Sequence, residues 1–383
     1  MLTEFHVSGY KSLYDCTITD LQPINVFHGG NNVGKSNILE ALETFYHALE
    51  DPRSIPPPAL FSWGEAEMVL QGRFVLAGET QTEATAQFAE ARGRWIVTVD
   101  RKTATYTYAD DGKSPLLDEA TQAICSAFRL YRVPARRRLE VEQATRTEQP
   151  LNPEGANLKE RLFWASVSQD PEERKAFYNV LRPLFAEPPL ALGTLQPVAS
   201  PGGPYDVQME TATRSIPLEQ MGSGIQQLVL LAGLIALSRA AVIAIEEPEI
   251  NLSWSTQKKL RLIFQRMVER PDTPPHQIFI SSHSPLFEFY ENFYRVDMVD
   301  GHTQVTRVAN VERHRIFDSI TLPSDKRAAW LHEENVVMLP PYVVETLGVR
   351  QGDLVYFLPQ ENRVLMLNEQ DFADLARPED DET

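Results

Sequence analysis

Between residues 28 and 37 the chain reads His28-Gly29-Gly30-Asn31-Asn32-Val33-Gly34-Lys35-Ser36-Asn37, and no other segment restricts the fold as much. Leu21 to Phe27 closes on the apolar pair Val26-Phe27, while Asn37 to Leu49 repeats apolar side chains at helical spacing. The pattern predicts a strand, a glycine-rich turn and a helix. Gly29 and Gly34 permit turns that aim backbone N–H groups at phosphate oxygens, and the helix N-terminus adds its positive end. In such a loop, built from Gly29, Asn31, Asn32, Gly34, Lys35, Ser36 and Asn37, the lysine reaches the β- and γ-phosphates of ATP and Ser36 ligates Mg²⁺. An ordinary glycine turn before an amphipathic helix is the plainer alternative, and it leaves Lys35-Ser36 unexplained.

Three later segments supply chemistry suited to that loop. Ala240 to Ile245 is a short, continuously apolar run ending on Glu246-Glu247-Pro248-Glu249. Acids at the carboxyl edge of a parallel sheet handle metal and water. Glu246 is expected to hold hydrated Mg²⁺ through its waters and Glu247 to act as general base, with a helix to follow over Leu252 to Met267. Met221-Gly222-Ser223-Gly224-Ile225-Gln226-Gln227 precedes an apolar helix expected over Leu228 to Ser238, and Ser223, Gly224 and Gln226 form a second anion-binding cap. A second cap has a use if it serves the γ-phosphate held by another copy of the chain. Gln277 to Ile280 reads as another buried strand, ending at Ser281-Ser282-His283-Ser284-Pro285, which makes His283 a candidate γ-phosphate sensor that orients water. A solvated acidic turn, a structural glycine-serine cap and a core histidine are the bland readings of the same residues.

A formal charge of −17, from 36 basic and 53 acidic residues in 383, means that nucleic acid would have to meet a local basic patch. Cys16 and Cys125 lack paired spacing, so neither a disulfide framework nor a thiolate metal site is indicated. No stretch approaches the roughly 20 apolar residues of a membrane span. A cytoplasmic protein without a membrane partner is expected.

Residues 51–220 do not read as one compact nucleotide-binding core. After the proline-rich Pro52 to Pro58, the segments Met68 to Leu76, Thr85 to Ala89, Trp95 to Val99 and Thr103 to Tyr108 suggest antiparallel strands, and Leu158 to Val167 and Glu172 to Leu184 suggest helices. Arg129-Leu130-Tyr131-Arg132-Val133-Pro134-Ala135-Arg136-Arg137-Arg138 stands out in an acidic chain. It suits either phosphate contact or a strand ending in an internally paired basic turn.

Taken together, the glycine loop, Gly222 to Gln226, Ile243 to Glu249, Asn251 to Gln257 and Ser282-His283-Ser284-Pro285 resemble the ABC-type ATPase heads of chromosome-maintenance and recombination proteins. The likeness extends to the overcoming-lysogenization-defect (OLD) family and related stand-alone bacterial defence ATPases, with Gly9-Tyr10-Lys11-Ser12 and Gly155-Ala156-Asn157-Leu158 as supporting segments. It covers about residues 1–315. The resemblance implies an α/β fold: an ABC-type P-loop NTPase head with an antiparallel β lobe and a helical insertion, over residues 1–330. It also implies a homodimer with shared ATP sites, in which Asn251 to Gln257 is the dimer loop. Two positions depart from the pattern. Glu246 stands where aspartate is common, and Ser253-Trp254 replaces a histidine-proline pair; the second change bears on turnover more than on binding.

OLD proteins proper append a metal-dependent nuclease. Here Asn335 to Pro341 lacks the glutamate-glycine pair that begins it, and fewer than 50 residues remain. Instead the small, β-rich segment 331–383 is similar to one half of the swapped hairpin of AbrB-like regulators. It would comprise a first strand from Val337, a helix over Pro341 to Leu347, a turn over Gly348 to Asp353, and strands over Leu354 to Leu358 and Arg363 to Leu367. With Glu333, Glu334 and Asn335 where that family is basic, dimerisation or partner docking is expected of it. The expected function is an ATP-hydrolysing dimeric switch controlling a separate effector, such as a nuclease or toxin, in anti-phage defence. The alternatives are a DNA-binding ATPase of recombination, repair or chromosome maintenance, and a module that holds ATP with little turnover.

Overall fold

The computed structural model describes residues 1–51, 54–75, 81–91, 93–101, 104–109, 129–139, 149–188, 190–199, 204–270, 273–284, 287, 292–308, 341–348, 355–360, 363–368 and 370–371. It divides into two compact units, Met1–Arg313 and His314–Thr383.

The first unit is built on two six-stranded sheets. In the lobe sheet, β1 (Leu2–Tyr10), β2 (Leu13–Ile18), β4 (Glu67–Val75), β5 (Gln81–Ala89), β6 (Arg94–Arg101) and β7 (Ala104–Ala109) run antiparallel in the order β2-β1-β4-β5-β6-β7. Its strands alternate buried and open positions, as Glu67–Val75 does, because one face packs on the core and the other meets solvent. In the core sheet, β3 (Ile24–His28), β8 (Leu130–Val133), β12 (Val242–Glu246), β13 (Gln277–Ser282), β14 (Phe293–Val299) and β15 (His302–Arg307) follow the order β15-β14-β3-β13-β12-β8. All its pairings are parallel except β14 with β15. Every residue of β3, β12 and β13 is buried, and the stretches Val26-Phe27, Val242 to Ile245 and Ile278 to Ile280 are accordingly apolar.

Helix α1 (Lys35–Glu50) lies between the sheets and contacts β8, β12 and β13 as well as β1 and β4. Its Phe45 ring sits 5.6 Å from Phe5 and 6.2 Å from Phe74, all fully buried. Each such side chain contributes about 1.5–3 kcal/mol on leaving water. Because Lys35 begins this helix, the packing of Phe45 against the lobe fixes the direction from which the glycine loop is presented.

The expected insertion is present as α2 (Leu158–Val167), α3 (Pro171–Lys175), a π-helical turn (Ala176–Leu181) and α4 (Arg182–Ala186). A three-stranded antiparallel sheet absent from the sequence reading accompanies it: β9 (Thr194–Ala199), β10 (Tyr205–Glu210) and β11 (Ser215–Pro217). Helices α5 (Ser223–Ser238) and α6 (Trp254–Val268) complete the unit. Among the described residues no helix is long and apolar enough to cross a membrane.

The second unit contains α7 (Pro341–Leu347) and an antiparallel pair, β16 (Tyr356–Gln360) with β17 (Arg363–Leu367); the Asn368 amide donates to the Leu347 carbonyl over 2.8 Å. The expected helix and both hairpin strands are present, the first of them shifted by two residues. The strand expected from Val337, most of the Gly348 to Asp353 turn, the proposed boundary at 330/331 and Cys125 lie outside the described residues.

Candidate nucleotide site

Three neighbouring parallel strands deliver the chemistry to one sheet edge. The register pairs Ser282 with His28 and Ser281 with Glu246, so the segments that follow β3, β13 and β12 emerge side by side. The glycine loop is held from behind. A Cβ on Gly29 would stand 2.2 Å from the Val296 carbonyl oxygen, and one on Gly34, whose φ is +101°, would stand 2.0 Å from Thr303 Oγ1. Thr303 Oγ1 donates to the Val33 carbonyl (2.9 Å) and lies 2.6 Å from Ser12 Oγ, which in turn accepts the Asn37 amide at 2.7 Å. Asn37 therefore holds the Lys11-Ser12 turn against the loop. Gly30, Asn31, Asn32 and Ser36 are exposed at the mouth, and Ser36 Oγ has no partner among the described residues.

Lys35 is buried and folded onto its own loop: Nζ donates to Gly29 O (2.9 Å) and Gly30 O (2.6 Å) and lies 3.3 Å from His283 Nδ1. Burial pulls its pKa below that of an ordinary lysine, and Glu247 and Glu249 oppose the shift. His283 is gripped on both nitrogens, with Nε2 2.7 Å from Glu247 Oε1 and Nδ1 3.0 Å from Gly29 O. A neutral imidazole that donates from Nε2 to the carboxylate accepts from Lys35 at Nδ1, whereas an imidazolium donates to Glu247 and Gly29 O together. Glu247 itself occupies the left-handed region at φ +41°, a conformation costing on the order of 1–3 kcal/mol for a non-glycine residue. Its N–H donates to Ser281 O at 2.8 Å, which helps fix the turn leaving β12.

Glu246 is buried and engaged by Arg132, whose Nη2 and Nε reach Oε1 at 2.5 and 3.1 Å. Burial alone lowers the Arg132 pKa, but hydrogen bonds to Glu43 (2.8 Å) and Glu246 outweigh it and leave the guanidinium above its ordinary value. Arg137 donates to the carbonyls of Pro134 (2.7 Å), Glu246 (2.6 Å) and Glu247 (3.0 Å), and burial pulls its pKa down to about 10. Two arginines of the basic run thus brace the acidic turn from inside the fold. The set at this edge is oxygen-rich: the Ser36 hydroxyl and the Glu246 carboxylate are donors that suit Mg²⁺, which keeps several waters and needs few protein ligands. The Gly29–Lys35 cradle, at a helix N-terminus, suits a polyphosphate.

Residues 24–287 match the protein family described as "AAA domain, putative AbiEii toxin, Type IV TA system". The chain belongs to that family. Among solved structures it is similar to the SMC head bound to the C-terminal winged-helix domain of ScpA, at TM-score 0.55 and 14% identity over 81% of this chain and 99% of that one. It is also similar to the SMC head domain with an extended coiled coil bound to the C-terminal domain of ScpA from Pyrococcus furiosus, at TM-score 0.51 and 12% identity over 83% and 99% of the two chains. No curated protein matches it in sequence. Its fold is that of an ABC-type P-loop NTPase head, and by family it is an ATPase domain.

Within this AAA-family chain the serine signature shares no hydrogen bond with the glycine loop among the described residues. Gly222 and Ser223 are exposed at the start of α5, and Ser223 Oγ has no partner among the described residues. Gln226 closes its own turn, donating to Met221 O (2.9 Å) and Glu219 O (3.3 Å), while Gly224 packs near Thr256 of α6. In the segment Asn251 to Gln257, Ser253 caps α6, and Gln257 Oε1 accepts the Ser284 hydroxyl at 2.5 Å. Sequence reasoning missed Glu249, whose Oε1 accepts both Ser282 Oγ–H (2.9 Å) and the His283 N–H (2.6 Å). The only signal for it was a third acid after Pro248.

Proposed function

We propose that the chain is an ATP-hydrolysing switch that closes as a homodimer around shared nucleotide sites and controls a separate effector. The observation that carries this reading is the Lys35–His283–Glu247 chain of contacts at the carboxyl edge of three adjacent parallel strands. On ATP binding Lys35 exchanges the Gly29 and Gly30 carbonyls for the β- and γ-phosphates. Bound Mg²⁺, held by Ser36 and through its waters by Glu246, would neutralise phosphate charge. Water attacks the γ-phosphorus, Glu247 takes one of its protons, the bond from the γ-phosphorus to the bridging oxygen breaks, and ADP leaves. His283 orients the water and keeps Glu247 in place. Ser223, which is exposed, and Gly224 and Gln226, which are half-buried, share no hydrogen bond with the glycine loop of their own chain among the described residues and suit the γ-phosphate of a second copy.

The effector part of the reading draws on the family description, which names a toxin of a toxin–antitoxin system, and on the two SMC heads, each solved with a partner domain bound. The OLD-like defence role and an AbrB-like docking use for residues 331–383 belong to the same proposal. The test pairs two variants. Lys35→Ala removes ATP binding, whereas Glu247→Gln keeps ATP, lowers turnover by roughly 10²–10⁴-fold and accumulates as a dimer. Unchanged turnover in Glu247→Gln defeats the hydrolytic assignment. Wild-type binding without turnover leaves the third reading, a module that only holds ATP.

A further inference from the structure

His283 owes its place to a residue outside the phosphate-binding set. Ser281, Ser282 and Ser284 are buried, so the polar groups of this segment need partners within the fold. It is steadied from two sides instead. From the acidic turn, Glu249 Oε1 accepts Ser282 Oγ–H at 2.9 Å and the His283 N–H at 2.6 Å, while Ser282 Oγ accepts the Ser284 N–H at 2.9 Å. From the dimer loop, Gln257 accepts the Ser284 hydroxyl at 2.5 Å and donates to Leu252 O at 3.0 Å.

The charge of Glu249 is unevenly used. One carboxylate oxygen takes two donors, and the other, Oε2, is buried with no hydrogen-bond partner among the described residues. A buried acceptor left unpaired costs about 1–3 kcal/mol, more when charged. The nearby charges are Lys35 and Arg137, both of which feel Glu249. A carboxylate kept in that position by two donors on the histidine segment therefore ties the placement of His283 to the electrostatics of the site. It also couples that placement to the dimer loop, because Glu249 N-terminally and Gln257 C-terminally bracket Asn251 to Gln257.

We propose that Glu249 is a positioning residue for hydrolysis, which holds His283 against Glu247 and, with Gln257, transmits the state of the dimer loop to that histidine. The proposal rests on the hydrolytic reading above. If the loop is displaced when a second copy seats on it, the Gln257–Ser284 and Glu249–Ser282 bonds carry the displacement to the two residues that flank His283. No contact with ATP is required of either residue.

The experiment is a double-mutant cycle on the full chain, measuring ATP affinity and kcat separately. Glu249→Ala should lower kcat on the order of 10–100-fold, below the cost of deleting an acid–base group outright, with the ATP Kd within about 3-fold of wild type. In a His283→Ala background the same substitution should cost no more than about 2-fold, because the group it positions is gone. Glu249→Gln, whose amide oxygen still accepts both bonds, should recover most of the loss. Gln257→Ala should lower the dependence of kcat on protein concentration. Equal losses from Glu249→Ala in both backgrounds, or a fall in ATP affinity parallel to kcat, overturns the proposal. Should Glu249→Ala not fold, Ser282→Ala in the same two backgrounds decides, since it removes one of the two donors and no charge. Absence of wild-type turnover counts against the hydrolytic reading itself. A wild type that depends on Glu247 but is indifferent to Glu249 counts against this proposal alone.

Discussion

Adding one methyl group to Gly34 separates backbone strain from steric fit at the nucleotide loop. With φ at +101° and ψ at 10°, Gly34 lies where an alanine costs about 1–3 kcal/mol. The added Cβ would also stand 2.0 Å from Thr303 Oγ1 and 2.9 Å from both Ser12 Oγ and Thr303 Cγ2. Thr303 can yield only by giving up its bonds to Val33 O and Ser12 Oγ, each worth about 1 kcal/mol net. The total, on the order of 3–5 kcal/mol, is comparable with the lower range of a domain's whole stability. The loop therefore rearranges before the unit unfolds.

If ATP binding must restore the native loop, that cost appears as a rise in Kd of roughly 10²–10⁴-fold. The assay is titration with a fluorescent ATP analogue, alongside thermal melting. Gly34→Ala/Thr303→Ala removes the threonine contacts but neither the positive φ nor the Ser12 contact. It should recover about tenfold of the affinity relative to Gly34→Ala, a coupling of about 1–2 kcal/mol. A Gly34→Ala variant that binds within 3-fold of wild type and melts at the same temperature would refute the close-approach argument. Failure of the double variant to recover any affinity would place the whole effect in the backbone.

His28 supplies a pH prediction. Burial, with smaller contributions from Lys35 and His283, pushes its pKa down to about 4, against an ordinary value of 6.5, while its bond to the His283 carbonyl works the other way. Between those values the unfolded chain binds a proton that the native chain refuses, so this stabilisation is complete above about pH 6.5. It is lost progressively towards pH 4, by about 3 kcal/mol in all. His28→Gln should flatten that part of the melting-temperature profile, and an unaltered slope would contradict the burial argument. Mixing Ser223→Arg with Lys35→Ala should restore part of the turnover each lacks alone, because one composite site in the heterodimer combines the intact loop with the intact signature; verified heterodimers with no activity would remove the shared-site reading. Binding to single- and double-stranded DNA should be weak at physiological salt, given a charge of −17 and an Arg132 and Arg137 already engaged within the fold. A salt-sensitive submicromolar complex weakened by changing Arg136 and Arg138 would favour the DNA-binding alternative.

The parts of the site that are contiguous in sequence were legible, because a strand, a turn and a helix in succession leave local signals. Gly29 to Lys35 and Ile243 to Glu249 are of this kind. The contact between Glu247 and His283 depends on their strands being neighbours, which the parallel pairing of β12 with β13 provides and no local signal announces. The double role of Glu249 was not legible, since it depends on which residues of β13 face the turn after β12. Nor could the sequence separate an arginine reaching outward from one folded inward. Arg132 and Arg137 point to Glu43, Glu246 and backbone carbonyls, whereas Arg136 is exposed. The β9–β11 sheet was readable and passed over: Tyr205, Val207 and Met209 are buried, alternating with Asp206, Gln208 and Glu210.

The inward arginines bear on how such a switch is kept quiet. An acidic turn with three glutamates, Glu246 buried and Glu247 and Glu249 half-buried, would repel itself and the phosphates of ATP if left uncompensated. Arg132 takes the side chain of Glu246, and Arg137 takes the carbonyls of Glu246 and Glu247, so both cations stabilise the turn while leaving the Glu247 carboxylate to His283. Lys35, a third cation at this edge, donates to two loop carbonyls that a polyphosphate would replace as acceptors. Under the proposed mechanism the loop is therefore ready for nucleotide within one chain, while the exposed signature awaits a second. Binding and hydrolysis then depend on different surfaces, and an effector acting on dimer closure could change the rate of hydrolysis without touching ATP affinity.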